Sequence, residues 1–143
     1  NTFVGSLSGS GVISASNNTF VGYSAGNSTS SSSNTFLGCT AGTTITTGSK
    51  NTIVGMYDGL SGLDLRTSSN NIVLSDGDGN IRLYTNSSGN TGIGTTNPTQ
   101  KLDVAGSVKV GINTSQGVIL TSPNGTKYQL FVENDGTLKT VAI

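Results

Sequence analysis

The apolar residues of this 143-residue chain do not follow a helical period; they fall in short clusters separated by polar stretches. Four clusters are near-copies. Asn1 opens N-T-F-V-G-S-L-S-G, Asn18 opens N-T-F-V-G-Y-S-A-G, Asn34 opens N-T-F-L-G-C-T-A-G and Asn51 opens N-T-I-V-G-M-Y-D-G, at spacings of 17, 16 and 17 residues. Alternation along each N-T-[FI]-[VL]-G segment sends Thr and Val/Leu to one face of a short strand and Phe/Ile to the other. A period near 17 is too short for a helical-pair repeat, and the Gly and β-branched content disfavours helix. One coil of a β-solenoid fits. Coils stacked about 4.8 Å apart would put Phe3, Phe20, Phe36 and Ile53 in one apolar ladder and Val4, Val21, Leu37 and Val54 in a second. One ladder fills the coil interior. The other faces outward, and three identical copies around an axis would cover it.

After residue 60 the period fades to echoes at Asn70-Asn71 in N-N-I-V-L-S and at Asn90 in N-T-G-I-G-T-T. Asn71 to Ser75 and Asn80 to Tyr84 read as strands of a hairpin around Asp76-Gly77-Asp78-Gly79. A second hairpin is expected from Tyr128 to Glu133 and Thr137 to Ile143, around Asn134-Asp135-Gly136. The expected fold is all-β: solenoid or β-roll coils over residues 1–60 in a parallel homotrimer, a hairpin and connector region over 61–110, and a C-terminal hairpin tip over 111–143. The repeated Asn suits left-handed backbone and can hydrogen-bond along a stack of its own kind, so Asn18, Asn34 and Asn51 are structural candidates. Gly22, Gly38 and Gly55, with a second set at Gly9, Gly26, Gly42 and Gly59, allow tight corners.

Composition points the same way. Gly, Ser and Thr occur 21 times each and Asn 15 times, 78 of the 143 residues, while hydrophobic types reach only 32%. A thick monomeric core is hard to build from that, yet 10% charge and two Pro are unlike a disordered chain. Order must come from backbone ladders and from packing between coils or chains. Seven basic and seven acidic residues are scattered singly, leaving no footprint for nucleic acid. No stretch approaches the roughly 20 apolar residues of a membrane-spanning helix, so membrane insertion is not expected. The chain opens on Asn1 inside a repeat and without Met, which suggests part of something longer. The single Cys39 cannot form an intrachain disulfide and reads as a packing residue.

The coils resemble the left-handed β-roll heads of trimeric autotransporter adhesins, whose repeats also pair an Asn-led strand with a Gly corner. They are still more similar to the repeat arrays of bacteriophage tail fibres, over roughly residues 1 to 60. The segment G-N-T-G-I-G-T-T-N-P-T-Q-K-L-D-V-A-G-S-V-K-V, from Gly89 to Val110, resembles the connector leading many such fibres into their C-terminal parts. In that family it often precedes an autocleaving chaperone that assembles the trimer. Only 33 residues follow Val110, so such a chaperone would be already removed or never encoded. The resemblance implies a virion tail fibre, with other virion tail proteins and a host cell-surface glycan or protein as partners.

There is no His in the chain, which removes His-based triads and most zinc sites. Asp76, Asp78 and Asn80 mimic the start of a calcium loop but lack its downstream Glu, and no metal or cofactor is expected. Catalysis would rest on Asp58, Asp64, Asp76, Asp78, Asp103, Glu133 and Asp135, most of them in turn contexts that favour Asp for local hydrogen bonds. The expectation is therefore a non-enzymatic, structural and adhesive segment of a trimeric phage tail fibre that attaches the virion to its host. The alternatives are the head of a bacterial trimeric adhesin at the cell surface and a surface-glycan depolymerase, which would need a carboxylate pair roughly 5 to 9.5 Å apart. Ice binding by Thr2, Thr19, Thr35 and Thr52 is disfavoured by the Val/Leu row beside them. Receptor contact is expected at a C-terminal tip after Gly111, through the loops that hold Asn124, Lys127 and Asp135. The rival is that the C-terminal hairpin merely clamps the trimer while the coil corners near Tyr23 and Tyr57 bind laterally.

Overall fold

The inward and outward alternation of N-T-F-V is realised in a computed structural model that describes residues 1–110, 117–133 and 135–143, Phe131 without its side chain. The Gly111 start of the expected tip, the turn residue Asn134 and the Phe131 side chain lie outside this description. All regular structure among the described residues is β-strand, with no helix. Strands β1 (Thr2–Val4), β2 (Thr19–Val21), β3 (Thr35–Leu37), β4 (Thr52–Val54) and β5 (Ile72–Ser75) pair in parallel, Thr over Thr and Phe over Phe, in a β-solenoid of about four turns. β6 (Ile81–Thr85) then pairs antiparallel with β5, β7 (Thr91–Ile93) antiparallel with β6, and β8 (Leu102–Val104) parallel with β7. One eight-stranded sheet thus keeps chain order from β1 to β8. Asn1–Gly106 and Ser107–Ile143 form two compact units. The second carries an antiparallel sheet in the order β11-β10-β9, from β9 (Val118–Thr121), β10 (Lys127–Val132) and β11 (Leu138–Ala142).

Inside the coils the Phe/Ile ladder is the core. Phe20, Phe36, Ile53 and Val73 occupy successive rungs and are fully or almost fully buried. The Phe3, Phe20 and Phe36 rings lie nearly parallel, with centroids 5.1 and 4.8 Å apart. That separation is the strand spacing, so ring stacking is a consequence of the backbone ladder. Ala25 and Ala41 pack beside the rings. Gly42, in left-handed geometry, has no room for a side chain there: a Cβ would sit 2.5 Å from the Phe36 ring. Gly38 turns the next corner at φ +142°, where a Cβ would meet the Gly55 carbonyl oxygen at 2.0 Å.

A second buried ladder is polar. The Oδ1 atoms of Asn1, Asn18, Asn34 and Asn51 accept the backbone N–H of Asn18, Asn34, Asn51 and Asn71 in turn, at 2.9 to 3.0 Å. Each Nδ2 reaches across its own coil to a backbone carbonyl, from Asn1 to Ala15, Asn18 to Ser31, Asn34 to Gly48 and Asn51 to Ser68. Asn71 is a fifth rung although 20 residues separate it from Asn51, but its Nδ2 donates to Asn51 Oδ1 and Ser68 Oγ instead of a backbone carbonyl. There the Tyr84 hydroxyl donates to Asn71 Oδ1 at 2.9 Å, which ends the series. Left-handed backbone falls on the residue before each rung, at Asn17, Ser33, Lys50 and Asn70, rather than on the ladder asparagines themselves. Identity at the rung is required by the amide, which must accept and donate at once.

Phe36→Ser is expected to destabilise the unit by about 3 to 5 kcal/mol, because it leaves a cavity and an unpaired hydroxyl between two apolar rungs. Asn34→Ala is expected to cost about 1 to 3 kcal/mol by leaving the buried Asn51 N–H unpaired, while the Gly48 carbonyl keeps the Ser31 hydroxyl. Urea denaturation of each variant measures both; unchanged midpoints would show that these ladders do not hold the coils.

Candidate functional site

The outer face of the solenoid carries the residues left over by the core. Register carries one column across the whole sheet: Val4, Val21, Leu37, Val54, Leu74, Leu83, Ile93 and Val104. Val4, Leu37 and Leu74 are 54%, 48% and 47% exposed. Eight strands at about 4.8 Å make a stripe about 34 Å long. Beside it run Thr2, Thr19, Thr35, Thr52, Ile72, Thr85, Thr91 and Leu102, in the same registers. The first four rungs of the stripe follow from the repeat. Leu74 lies in the weaker N-N-I-V-L-S echo; the last three were hidden by the loss of period, and only strand pairing shows that they continue the stripe.

Tyr23 and Tyr57 part company. Tyr23 stands 54% exposed at its corner, whereas Tyr57 is fully buried and its hydroxyl donates to the Leu63 carbonyl oxygen. Burial first, then the nearby Asp58 and Asp64 charges, push the Tyr57 phenol far above its ordinary range. Tyr57 therefore offers no lateral contact surface. The cause is a one-residue shift. Leu7, Ser24 and Thr40 take left-handed backbone after the corner Gly of the first three coils, and the fourth coil has no such residue there. Tyr57 thus drops into the column of Ala25 and Ala41. Its carbonyl accepts the Gly42 N–H, as Ala41 accepts from Gly26 and Ala25 from Gly9. The same coil has Ile53 where the three coils before it have a phenyl ring, and Tyr57 packs in the cluster with Ile45 and Leu65.

The expected tip residues are not brought together. Asn124 lies in the turn between β9 and β10, where its Oδ1 accepts from Thr126 N at 3.1 Å and Ser122 Oγ at 2.5 Å. Lys127 is exposed beside it at the start of β10, opposite Thr121. Asp135 lies in the turn between β10 and β11 and accepts from Thr137 N at 2.9 Å. The six residues of β10 separate the two turns by about 20 Å, at opposite ends of the small sheet. Asn124 and Lys127 can share a contact; Asp135 cannot share it with them on one chain.

The carboxylates act in turns. Asp64 binds Arg66 through Nη2 at 2.7 Å, and that guanidinium holds its carboxyl at about 2. Asp76 accepts from the Asn80 backbone and side-chain amides and from Arg82 Nε at 2.9 Å, and Arg82 above all holds it at about 2. Partial burial pushes Asp58 up, but the Ser61 and Leu60 amides outweigh it and leave the carboxyl low. Asp103 accepts from Thr99, and Glu133 pairs with Lys139 at 2.9 Å. Among the described residues, no three His, Cys, Asp or Glu side chains gather as a metal site, and no helix is long and apolar enough to cross a membrane. No family model, curated protein or solved structure matches this chain.

Tyr57→Ala is expected to cost about 3 to 5 kcal/mol, while Tyr23→Ala stays within about 0.5 kcal/mol. Equal denaturation midpoints for the two variants would contradict the shifted corner. Asp64 and Asp76 have folded values depressed below the unfolded one, so the stability they add is complete above about pH 4 and is lost as pH falls toward 2. The thermal midpoint should drop across that window, and the combined Asp64→Asn, Asp76→Asn variant should drop less.

Proposed function

We propose that the chain is a structural and adhesive segment of a homotrimeric phage tail fibre, which attaches the virion to a glycan or protein on the host cell surface. The observation that carries the self-associating part is the apolar stripe of Val4, Leu37, Val54 and Leu74 on the outside of a solenoid whose interior is already filled. An apolar column this long and straight is covered best by a surface of the same period, and the same stripe on a neighbouring copy has that period by identity. Three copies around an axis present equal stripes to one another. The placement on a phage fibre rests on the resemblance of the repeats and of the Gly89 to Val110 connector. Three identical attachment surfaces turn weak single contacts into avidity, which suits a chain whose polar groups serve turns and ladders. Exposed Tyr23 on the coil corners and the Asn124–Lys127 turn are two separate places where a receptor could be met, with Asp135 a third.

The chain should sediment as three copies at micromolar concentration. Leu37→Lys and Leu74→Lys together should reduce it to one copy while the interior ladder stays folded by circular dichroism. A wild-type mass of a single folded chain would overturn the trimer. Binding of the labelled assembly to a panel of bacteria tests adhesion: Tyr23→Ala, the pair Asn124→Ala with Lys127→Ala, and Asp135→Ala assign the contact, and no binding to any host would remove the adhesive role.

A further inference from the structure

We infer that the three-stranded sheet of β9, β10 and β11 is a clamp between copies of this chain, its apolar face turned inward against the same faces of the neighbouring copies around their common axis. The registers Tyr128 with Leu120 and Ala142, Leu130 with Val118 and Thr140, and Val132 with Leu138 define one face of this sheet. Alternation therefore places Val118, Leu120, Tyr128, Leu130, Val132 and Leu138 together. No charged residue shares that face among the described residues, whereas the other carries Lys127 and Lys139 with Gln129 and Thr121 beside Ile119 and Val141. Five of the six, all but Leu130, are between 37% and 63% exposed.

The unit formed by Ser107–Ile143 contains no buried residue among those described. Burial of apolar surface is the main term that offsets the entropy of ordering a chain, and a three-stranded sheet that buries none of its residues has little to offset it. The cover must be present whenever the sheet is folded, a condition that a transiently met receptor does not fulfil and a copy of the same chain does. The face is uncharged, so it is complementary to itself. Its size points the same way. Six residues by three strands make a footprint of about 20 by 14 Å, well below the roughly 800 Å² per partner of a free-standing specific interface. A face this small holds only when its partner is already tethered nearby, at high effective concentration. Copies aligned along the solenoid stripe supply that tether, so the inference rests on the self-association proposed above.

In the full chain, residue-resolved hydrogen exchange at two concentrations a hundredfold apart tests this, beside sedimentation mass. Protection of the β9–β11 amides is expected to fall roughly tenfold or more on dilution. The combined Leu120→Lys, Leu138→Lys variant should lose that protection, and its assembly should dissociate at higher concentration than wild type, while Phe20 and Phe36 amides stay protected. Thr121→Lys with Gln129→Lys, on the opposite face, should change neither. If wild type self-associates but the Leu120→Lys, Leu138→Lys variant keeps its mass and its β9–β11 protection, the clamp is overturned and the fibre reading stands. A wild-type single chain whose sheet amides are protected at every dilution overturns both.

Discussion

The amide of one asparagine per coil is the constraint on which this molecule depends. Its oxygen takes the backbone N–H of the next rung, and its nitrogen reaches a carbonyl on the far side of its own coil. One side chain thus ties neighbouring coils to each other and closes the coil that carries it. Glutamine is a methylene too long for this geometry, and aspartate lacks the donor. With five rungs in register, equivalent positions stack on one another, Thr on Thr and Phe on Phe in the first coils, and Ile72 on Thr52 and Val73 on Ile53 in the last.

An interior only a few side chains wide also explains how a chain with 32% hydrophobic residues holds a fold. The Phe/Ile ladder, the Ala25, Ala41 and Tyr57 column with Ile45 and Leu65, and the buried asparagines together fill the coils, and all buried side-chain polar atoms among the described residues have partners. Backbone ladders carry the rest. The alternation that fills the interior with Phe necessarily sends the next residue along the strand, Val or Leu, outward. A thin solenoid has no second layer with which to cover them, so an uncovered apolar stripe is the direct consequence of its thinness.

The acidic residues fit the same economy. Asp58, Asp64, Asp76 and Asp135 each accept hydrogen bonds from residues two to six positions away, which closes the loops that interrupt or follow the coils. The loop that lengthens the fourth coil is held by Asp58 and Asp64, so the insertion leaves the spacing of the rungs on either side unchanged. Asn71 can therefore resume the ladder.

The inner and outer ladders from Phe3 to Ile53 and from Val4 to Val54 were legible in the residues alone, because a short repeat with alternating apolar positions has one self-consistent stacking. The solenoid itself was legible for the same reason. Four features were not. Asn71 is a rung although the period had faded, and its place is set by hydrogen bonding across a 20-residue gap. Leu83, Ile93 and Val104 prolong the outer stripe only because β6, β7 and β8 join the same sheet. β9 adds a third strand to the C-terminal sheet and puts Asn124 and Asp135 at opposite ends of it. Tyr57 looked like a twin of Tyr23, yet one missing left-handed residue turns it inward. Sequence determined what recurs, since recurrence records the spacing of coils. Tertiary structure decided the exceptions, since the burial of a side chain depends on the column it enters, and that column is set by backbone partners distant in the chain.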